Sequence, residues 1–391
     1  MQRSIVNALE LFAGAGGMAL GLEEAGFRHA ALIEWNKDAC ATLRANGWLC
    51  VCDQDVHDFD FKPFSGKLDL LAAGVPCQPF SLGGKHKADR DSRNMFPEVI
   101  RALREARPRA MLIENVRGLV REKFIPYFEY VLMRLSLPDL EPESGESWRE
   151  HRTRLATHLR RDAMPTYDVD YRLINCADYG VPQIRYRVFV VGFRTDIAAE
   201  WHWPPPTHSR GSLELAKATD VYWREHGIWL RERSGGRYAA PCGLARWRTV
   251  RDALRGLPDP RTATAATIAN HVFIPGARVY PGHSGSSLDL PAKALKAGDH
   301  GNPGGENVLV NDGSVRYFTV REAARIQTFS DEYFLAGTRS ECMRQLGNAV
   351  PVQVANVLGK SIMRTLREAR GTERLPTRTP KWMRAEQLSF A

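Results

Sequence analysis

Residues 8–26 read Ala8-Leu9-Glu10-Leu11-Phe12-Ala13-Gly14-Ala15-Gly16-Gly17-Met18-Ala19-Leu20-Gly21-Leu22-Glu23-Glu24-Ala25-Gly26. Ala8–Phe12 has the apolar character of a strand, Ala13–Gly17 reads as a tight turn, and Met18–Ala25 as a helix closed by Gly26. Gly14, Gly16 and Ala19 satisfy the dinucleotide pattern G-x-G-x-x-G/A, and Glu34 follows about 20 residues later, after the strand His29–Ile33. A strand, a glycine turn, a helix and a carboxylate able to hold a ribose predict an α/β fold with a mostly parallel sheet and a nucleotide-like ligand. The plain alternative is a glycine turn with no ligand.

Working outward, the apolar run Leu68-Asp69-Leu70-Leu71-Ala72 is followed by Ala73-Gly74-Val75-Pro76-Cys77-Gln78-Pro79-Phe80-Ser81. Prolines around Cys77 and Gln78 fix backbone dihedrals and disfavour helix, so the thiol sits on a stiff loop at the carboxyl end of a strand. Open α/β sheets keep their chemistry at that edge. Cys77 is either a nucleophile or a buried small hydrophobe.

Together these segments resemble the DNA cytosine-5 methyltransferase family, which carries Phe-x-Gly-x-Gly near its start and a Pro-Cys-Gln loop after the fourth strand. Further motifs stand in family order: Glu114-Asn115-Val116 after the strand Ala110–Ile113, Gln183-Ile184-Arg185-Tyr186-Arg187, Arg321 to Phe329, and Gly347-Asn348-Ala349-Val350-Pro351. The similarity spans Leu9 to Val352. Taken singly, each motif has a plain reading. Glu114-Asn115 caps a turn, the arginines form a solvated face beside the strand Arg187–Phe193, and Gly347-Asn348 stops one helix and caps the next, Val352–Met363. Cys50-Val51-Cys52 with His57 matches no zinc spacing and reads as packing, so no metal is assigned.

The resemblance implies a Rossmann-like S-adenosylmethionine-dependent methyltransferase fold with a smaller, irregular target-recognition domain. It also implies S-adenosylmethionine as the methyl donor. By the same resemblance, Phe12, Gly14, Gly16 and Gly17 line the cofactor, Glu34 binds ribose, Trp35 packs on adenine and Asp55 meets the adenine amine. The chain departs from the family at that last point, since Gln54 stands where glycine is usual and Asp53 competes with Asp55. Pro76, Met95, Asn348 and Val350 complete the cofactor set, Met95 on a loose match.

The chemistry follows from cytosine. C5 is a poor nucleophile until a nucleophile adds at C6, and a thiolate such as Cys77 suits that step. Glu114 can hydrogen-bond N3 and the exocyclic amine as charge develops, and Asn115 positions Glu114. Arg185 and Arg187 offer planar donors to the base O2, orient Glu114 and favour the Cys77 thiolate. A stacked base cannot be reached, so the cytosine is extruded from the duplex.

Composition fits a cytoplasmic enzyme that meets a polyanion. The 391 residues are 43% hydrophobic with net charge +9 and seven cysteines, and the sequence pI is about 9.3. This favours a large core, nucleic acid and a reducing compartment. The start Met1-Gln2-Arg3-Ser4 lacks a signal-peptide core, and no apolar stretch is long enough to cross a bilayer.

The organisation expected is a catalytic and cofactor domain over 1–194 with a surface insertion at 138–165, and a target-recognition region over 195–313. Motifs over 314–363 then return to the catalytic domain, and 364–391 is a basic tail. In the insertion Trp148, Leu155 and Leu159 share one side of a helix. The 195–313 stretch is rich in Pro and Gly and reads as irregular; within it Arg278, His283, Lys293, Lys296 and His300 are candidates for phosphate and base contacts. The expected partner is double-stranded DNA, with a cognate restriction endonuclease acting separately, no membrane, and a monomeric enzyme. The other functions open are a tRNA cytosine-5 methyltransferase, whose Cys-Phe-Thr string the variable segment lacks, and a DNA-binding protein without catalysis.

Overall fold

The structure is a computed structural model. It describes residues 6–76, 94–161, 164–197, 200–229, 243–281, 284–297, 307–369 and 381–383. The first half lays down β1 (Asn7–Leu11), α1 (Gly17–Glu24), β2 (Arg28–Glu34), α2 (Lys37–Ala45), β3 (Val51–Asp53), β4 (Leu70–Gly74), α3 (Phe96–Ala106) and β5 (Ala110–Val116). Next come α4 (Ile125–Ser136), α5 (Trp148–Arg160), β6 (Tyr167–Asn175), β7 (Gln183–Ile184) and β8 (Tyr186–Arg194).

Seven of these strands form one sheet in the order β3-β2-β1-β4-β5-β8-β6. The five strands from β3 to β5 pair in parallel, and β8 runs antiparallel between β5 and β6. Chain order reverses between β1 and β4, so the loops after these two strands flank the crevice where such sheets bind ligands.

The strands are apolar on both faces because both are covered. Leu9, Leu11, Leu71, Ala73, Met111 and Ile113 point into one cluster with α3 and α4. Their neighbours Ala8, Leu70, Ala72, Ala110 and Leu112 point into the other, which includes α1 and the last long helix. The strict alternation along β1 and β4 fixes which side chains line the edge and which lie beneath it.

The 138–165 segment is more than a surface insertion. Its helix α5 starts at a capping box between Ser147 and Glu150 and buries His151, Leu155 and Leu159, the two leucines within the main core cluster. The 195–313 stretch also holds more helix than its Pro and Gly content predicts. Ser209 caps α6 (Arg210–Ala218), α7 (Val221–Glu225) follows, and Thr249 with Asp252 boxes the start of α8 (Val250–Leu254). Short polar caps and single buried anchors, Leu213, Tyr222 and Val250, suffice where apolar periodicity is weak.

The chain closes with α9 (Val320–Ile326), α10 (Arg339–Asn348) and α11 (Val352–Glu368). Gly347 and Asn348 lie inside the last turn of α10, and Pro351 occupies the cap position of α11, so Asn348 does not cap the second helix. α11 packs along α1, and a Cβ on Gly21 would meet the Val352 carbonyl oxygen at 2.4 Å, so only glycine permits this approach. From the basic tail, Trp382 is buried against the main cluster, its indole N–H donating to Ser136 Oγ at 3.4 Å.

Candidate active site

The loop after β1 is wound tightly: Phe12, Gly14 and Gly16 have φ of 57°, 55° and 78°. A phenylalanine in the left-handed region is strained, and such strain gathers at functional sites. Glu34, at the end of β2, ties this loop down. Its Oε2 accepts the Gly14 N–H at 2.8 Å, and its Oε1 accepts the N–H groups of Trp35 at 3.0 Å and Asn36 at 2.8 Å. Oε2 therefore keeps a lone pair that could receive a ligand hydroxyl. Gly17 opens α1 in contact with the chain's last motif, since a Cβ there would lie 2.2 Å from the Val350 carbonyl oxygen.

Trp35 is 73% exposed, an aromatic face beside the Glu34 carboxylate. Asp55 accepts the backbone N–H of His57 at 3.0 Å and approaches its Nδ1 at 2.7 Å, and the His57 N–H bond holds its carboxyl below the usual range. The competing Asp53 pairs with Arg44 at 3.2 Å. Pro76 is half-buried at the crevice, and Met95 occupies the cap position of α3. An exposed indole, an acceptor carboxylate and a glycine turn against a helix start fit an adenosyl ligand with a hydroxylated ribose. Among the described residues no group of three or more His, Cys, Asp or Glu could hold a metal ion.

Across the crevice, Glu114 and Asn115 extend β5 where a turn was the plain reading. Glu114 Oε1 receives Arg187 Nε at 2.8 Å, the two side chains being 7% and 15% exposed. Burial raises the Glu114 carboxyl above its usual value, against the pull of Arg187 and Arg185. Asn115 donates through Nδ2 to the Val75 carbonyl at 3.3 Å, and the Val75 N–H donates to the Glu114 carbonyl at 3.2 Å. The chain that leaves for Cys77 is thus pinned beside the Glu114–Arg187 pair. Cys77 itself lies outside the described residues, as do His283 and His300.

Arg185 takes a different place from Arg187. It is fully buried, its Nη1 donating to the Leu295 carbonyl at 3.1 Å and its Nη2 to those of Gly347 at 2.6 Å and Ala349 at 3.1 Å. Its Nε has no hydrogen-bond partner, and burial pushes its pKa down to about 9. Its terminal donors are spent on backbone, so direct donation to a base O2 does not follow from this geometry. It acts on Glu114 only as a nearby charge.

The description "C-5 cytosine-specific DNA methylase" belongs to a family model that matches residues 6–137, 150–226 and 261–364, most of the chain and all seven strands of the main sheet. The chain belongs to this family. The methylase is 33% identical over 368 residues to the type II methyltransferase M.NgoMIV of Neisseria gonorrhoeae, covering 93% of this chain and 98% of that protein. It is 33% identical over 378 residues to M.PspPI of a Psychrobacter strain, covering 93% and 80%. Among solved structures, the Dnmt2 methyltransferase of S. pombe aligns with a TM-score of 0.54 at 18% identity, over 94% of this chain and 100% of that one. The Entamoeba histolytica methyltransferase EhMeth aligns at 0.55 and 16%, over 93% and 99%. At these identities the structures speak for the fold, that of an S-adenosylmethionine-dependent methyltransferase.

Two further residues of the methylase join its motifs, and neither role was read from the sequence. Gln183 is fully buried, receives the Leu295 N–H at 2.9 Å and donates to Gln327 Oε1 at 3.0 Å. Gln327 in turn donates to the carbonyls of Leu346 at 2.5 Å and Ala349 at 3.2 Å. Gln183, Arg185 and Gln327 therefore lace together three motifs that lie far apart in sequence. The only sequence signal was a glutamine in two motifs, and a buried amide cannot be told from an exposed one by pattern. Tyr333 adds a bond from its hydroxyl to the Ala15 carbonyl inside the glycine loop.

Of the residues expected to meet DNA, Lys293 pairs opposite Ile184 of β7, and its Nζ meets Ser284 Oγ at 2.6 Å. Lys296 is exposed, and its backbone is held by Asn307 through two bonds of 3.1 Å. Arg278 is exposed. Asn348 is exposed at the end of α10, while Val350 is buried against Gly17. No helix among the described residues is long and apolar enough to cross a membrane.

Proposed function

We propose that this DNA cytosine-5 methyltransferase is a sequence-specific type II modification enzyme. It methylates C5 of a cytosine extruded from duplex DNA, through a covalent bond between Cys77 and C6. The observation that carries the reading is the buried Glu114–Arg187 pair, set beside the Asn115–Val75 bond from which the chain leads to Cys77. The type II methyltransferases among its relatives support the biological setting, modification that protects DNA from a separate endonuclease of the same specificity. Each extruded base occupies one active site, which suits a monomer, and extrusion costs about a few kcal/mol of stacking and pairing.

The Cys77 thiolate adds to C6, and the electrons of the C5–C6 double bond move to C5. Glu114, whose carboxyl burial raises above its usual value, hydrogen-bonds N3 as that nitrogen gains charge, and its second oxygen accepts the exocyclic amine. Arg187 fixes the rotamer of Glu114 and leaves further guanidinium donors for the base O2. Asn115 holds the backbone at Val75, and Arg185 positions the 295 and 347–349 segments around the pocket. Bound S-adenosylmethionine would supply an electrophilic methyl group to C5, S-adenosylhomocysteine being the leaving group. The C5 proton then passes to solvent, its bonding pair reforms the C5–C6 double bond, and the C6–sulfur pair leaves on Cys77 as thiolate.

The residues that would hold the donor are those of the first crevice. Trp35 would pack on the adenine, Glu34 Oε2 would accept a ribose hydroxyl and Asp55 would receive the adenine amine. The backbone of Phe12, Gly14, Gly16 and Gly17, with Pro76, Met95, Asn348 and Val350, encloses the rest. Tritiated methyl transfer to plasmid DNA and, separately, to total tRNA, followed by bisulfite sequencing, tests the reading. Label in DNA at one cytosine of a short recurring word is expected. Label confined to tRNA contradicts it.

A further inference from the structure

The glycine loop between β1 and α1 is held from two sides. On one side β2 fixes its start: the Ala13 N–H donates to the Ile33 carbonyl at 3.2 Å and the Gly14 N–H to Glu34 Oε2 at 2.8 Å. On the other, the Tyr333 hydroxyl donates to the Ala15 carbonyl at 2.5 Å, from 318 positions further along the chain. The next residue, Gly16, has φ of 78°, and a Cβ there would lie 2.8 Å from the Tyr333 hydroxyl oxygen, so the phenol bears directly on the backbone of the loop. Ala15 is 1% exposed and Tyr333 4%. Water is shut out of the place of the hydroxyl, and a buried carbonyl left unpaired is costly.

Tyr333 is itself rigidly placed. Its ring lies 4.7 Å from that of Phe329 and meets Trp48 edge-on at 6.0 Å. Its N–H donates to the Ser330 carbonyl at 3.3 Å. Arg321, fully buried, donates through Nη2 to the Tyr333 carbonyl at 2.8 Å and through Nη1 to that of Ser330 at 2.9 Å. Burial pushes the phenol well above its usual value, so it stays protonated and donates at neutral pH.

We propose that Tyr333 is a positioning residue for the cofactor loop, its hydroxyl holding residues 13–17 in the shape that receives S-adenosylmethionine before the cofactor arrives. Phe12, Gly14 and Gly16 all have positive φ, backbone conformations that persist only where the surroundings support them. A loop already in its binding shape loses less freedom when the ligand docks, which strengthens binding and leaves the chemical step alone. Phenylalanine at 333 keeps the ring between Phe329 and Trp48 and removes only the donor. The inference rests on the glycine loop being the seat of the cofactor.

The test uses the full chain, titrated with S-adenosylhomocysteine in a calorimeter without DNA, beside hydrogen exchange and steady-state kinetics. Tyr333→Phe is expected to raise the Kd and the KM for S-adenosylmethionine together, roughly fivefold, the scale of one hydrogen bond. At saturating S-adenosylmethionine, kcat and KM for DNA should match the wild type. In the cofactor-free variant the amides of residues 13–17 should exchange faster, and saturating S-adenosylhomocysteine should remove most of that difference. Unchanged affinity overturns the proposal, as does a loss matched by an equal fall in kcat and by faster exchange throughout the chain, which would make Tyr333 a packing residue only. Glu34→Ala run in parallel separates the two claims. If that variant binds S-adenosylhomocysteine as tightly as the wild type, the loop is not the seat of the cofactor and the reading beneath the proposal fails. If it loses affinity while Tyr333→Phe keeps it, the role of Tyr333 alone falls.

Discussion

Glu114 and Arg187 meet at 2.8 Å where water is nearly excluded, so each sets the other's chemistry. Burial raises the Glu114 carboxyl above 4.5. The folded state therefore binds this proton more tightly than the unfolded chain. The stability it contributes is present below pH 4.5 and is lost as pH rises through the raised value. The same proton serves N3 of the base, so kcat/KM should fall on the alkaline side as Glu114 ionises. In Glu114→Gln the pH–rate profile should lose that limb and the rate should drop by about 10² or more, with DNA affinity nearly unchanged. Arg185 and Arg187 look equivalent in Gln183-x-Arg-x-Arg, and nothing in the pattern divides their work. The structure divides it by partner, one to a carboxylate and one to three carbonyls. Arg185→Lys keeps the charge but cannot serve three acceptors, and thermal unfolding should register a loss of about 2–3 kcal/mol.

Among the elements, the turn between β1 and α1 was the most legible, because glycine spacing, the preceding strand and Glu34 all demand one geometry. The strand was read one residue late and the helix begins at Gly17 rather than Met18, ordinary boundary error where ends fray. What no local pattern could supply is the contact of Gly17 with Val350, formed between segments over three hundred residues apart. Gly17→Ala places a methyl on backbone that cannot swing aside. It is expected to cost about 1–3 kcal/mol in denaturant unfolding and to weaken S-adenosylmethionine binding in calorimetry. Gly347-Asn348 ends α10 as its plain reading has it but does not cap α11, and 138–165 forms the one-sided helix expected of it while burying more than a surface insertion would. Glycine inside α10 answers a tertiary approach, with Lys296 and Ala297 backbone under 2.6 Å from where its Cβ would stand. The inner side of α5 is decided by the core it meets.

For the whole molecule, composition told of a partner rather than a fold. A net charge of +9 suits a polyanion, and DNA affinity should fall steeply with salt, each neutralised phosphate adding about 0.9 to the slope of log K against log salt. Lys296→Ala should reduce that slope by about one without moving the methylated word, whereas a residue that reads bases would change the word. The parallel sheet and both halves of the crevice were legible because their motifs sit at strand ends. The Gln183–Gln327 lacing was not, since it exists only between distant segments. The covalent step by Cys77 can be trapped directly. Duplex DNA carrying the recognised word with 5-fluorocytosine at the target offers no C5 proton to lose, so the Cys77–C6 bond should persist after methyl transfer. Incubation with S-adenosylmethionine should give a denaturation-resistant protein–DNA band with the wild-type enzyme and none with Cys77→Ser. Absence of that band from a preparation that methylates ordinary cytosine in the same word would contradict the covalent mechanism.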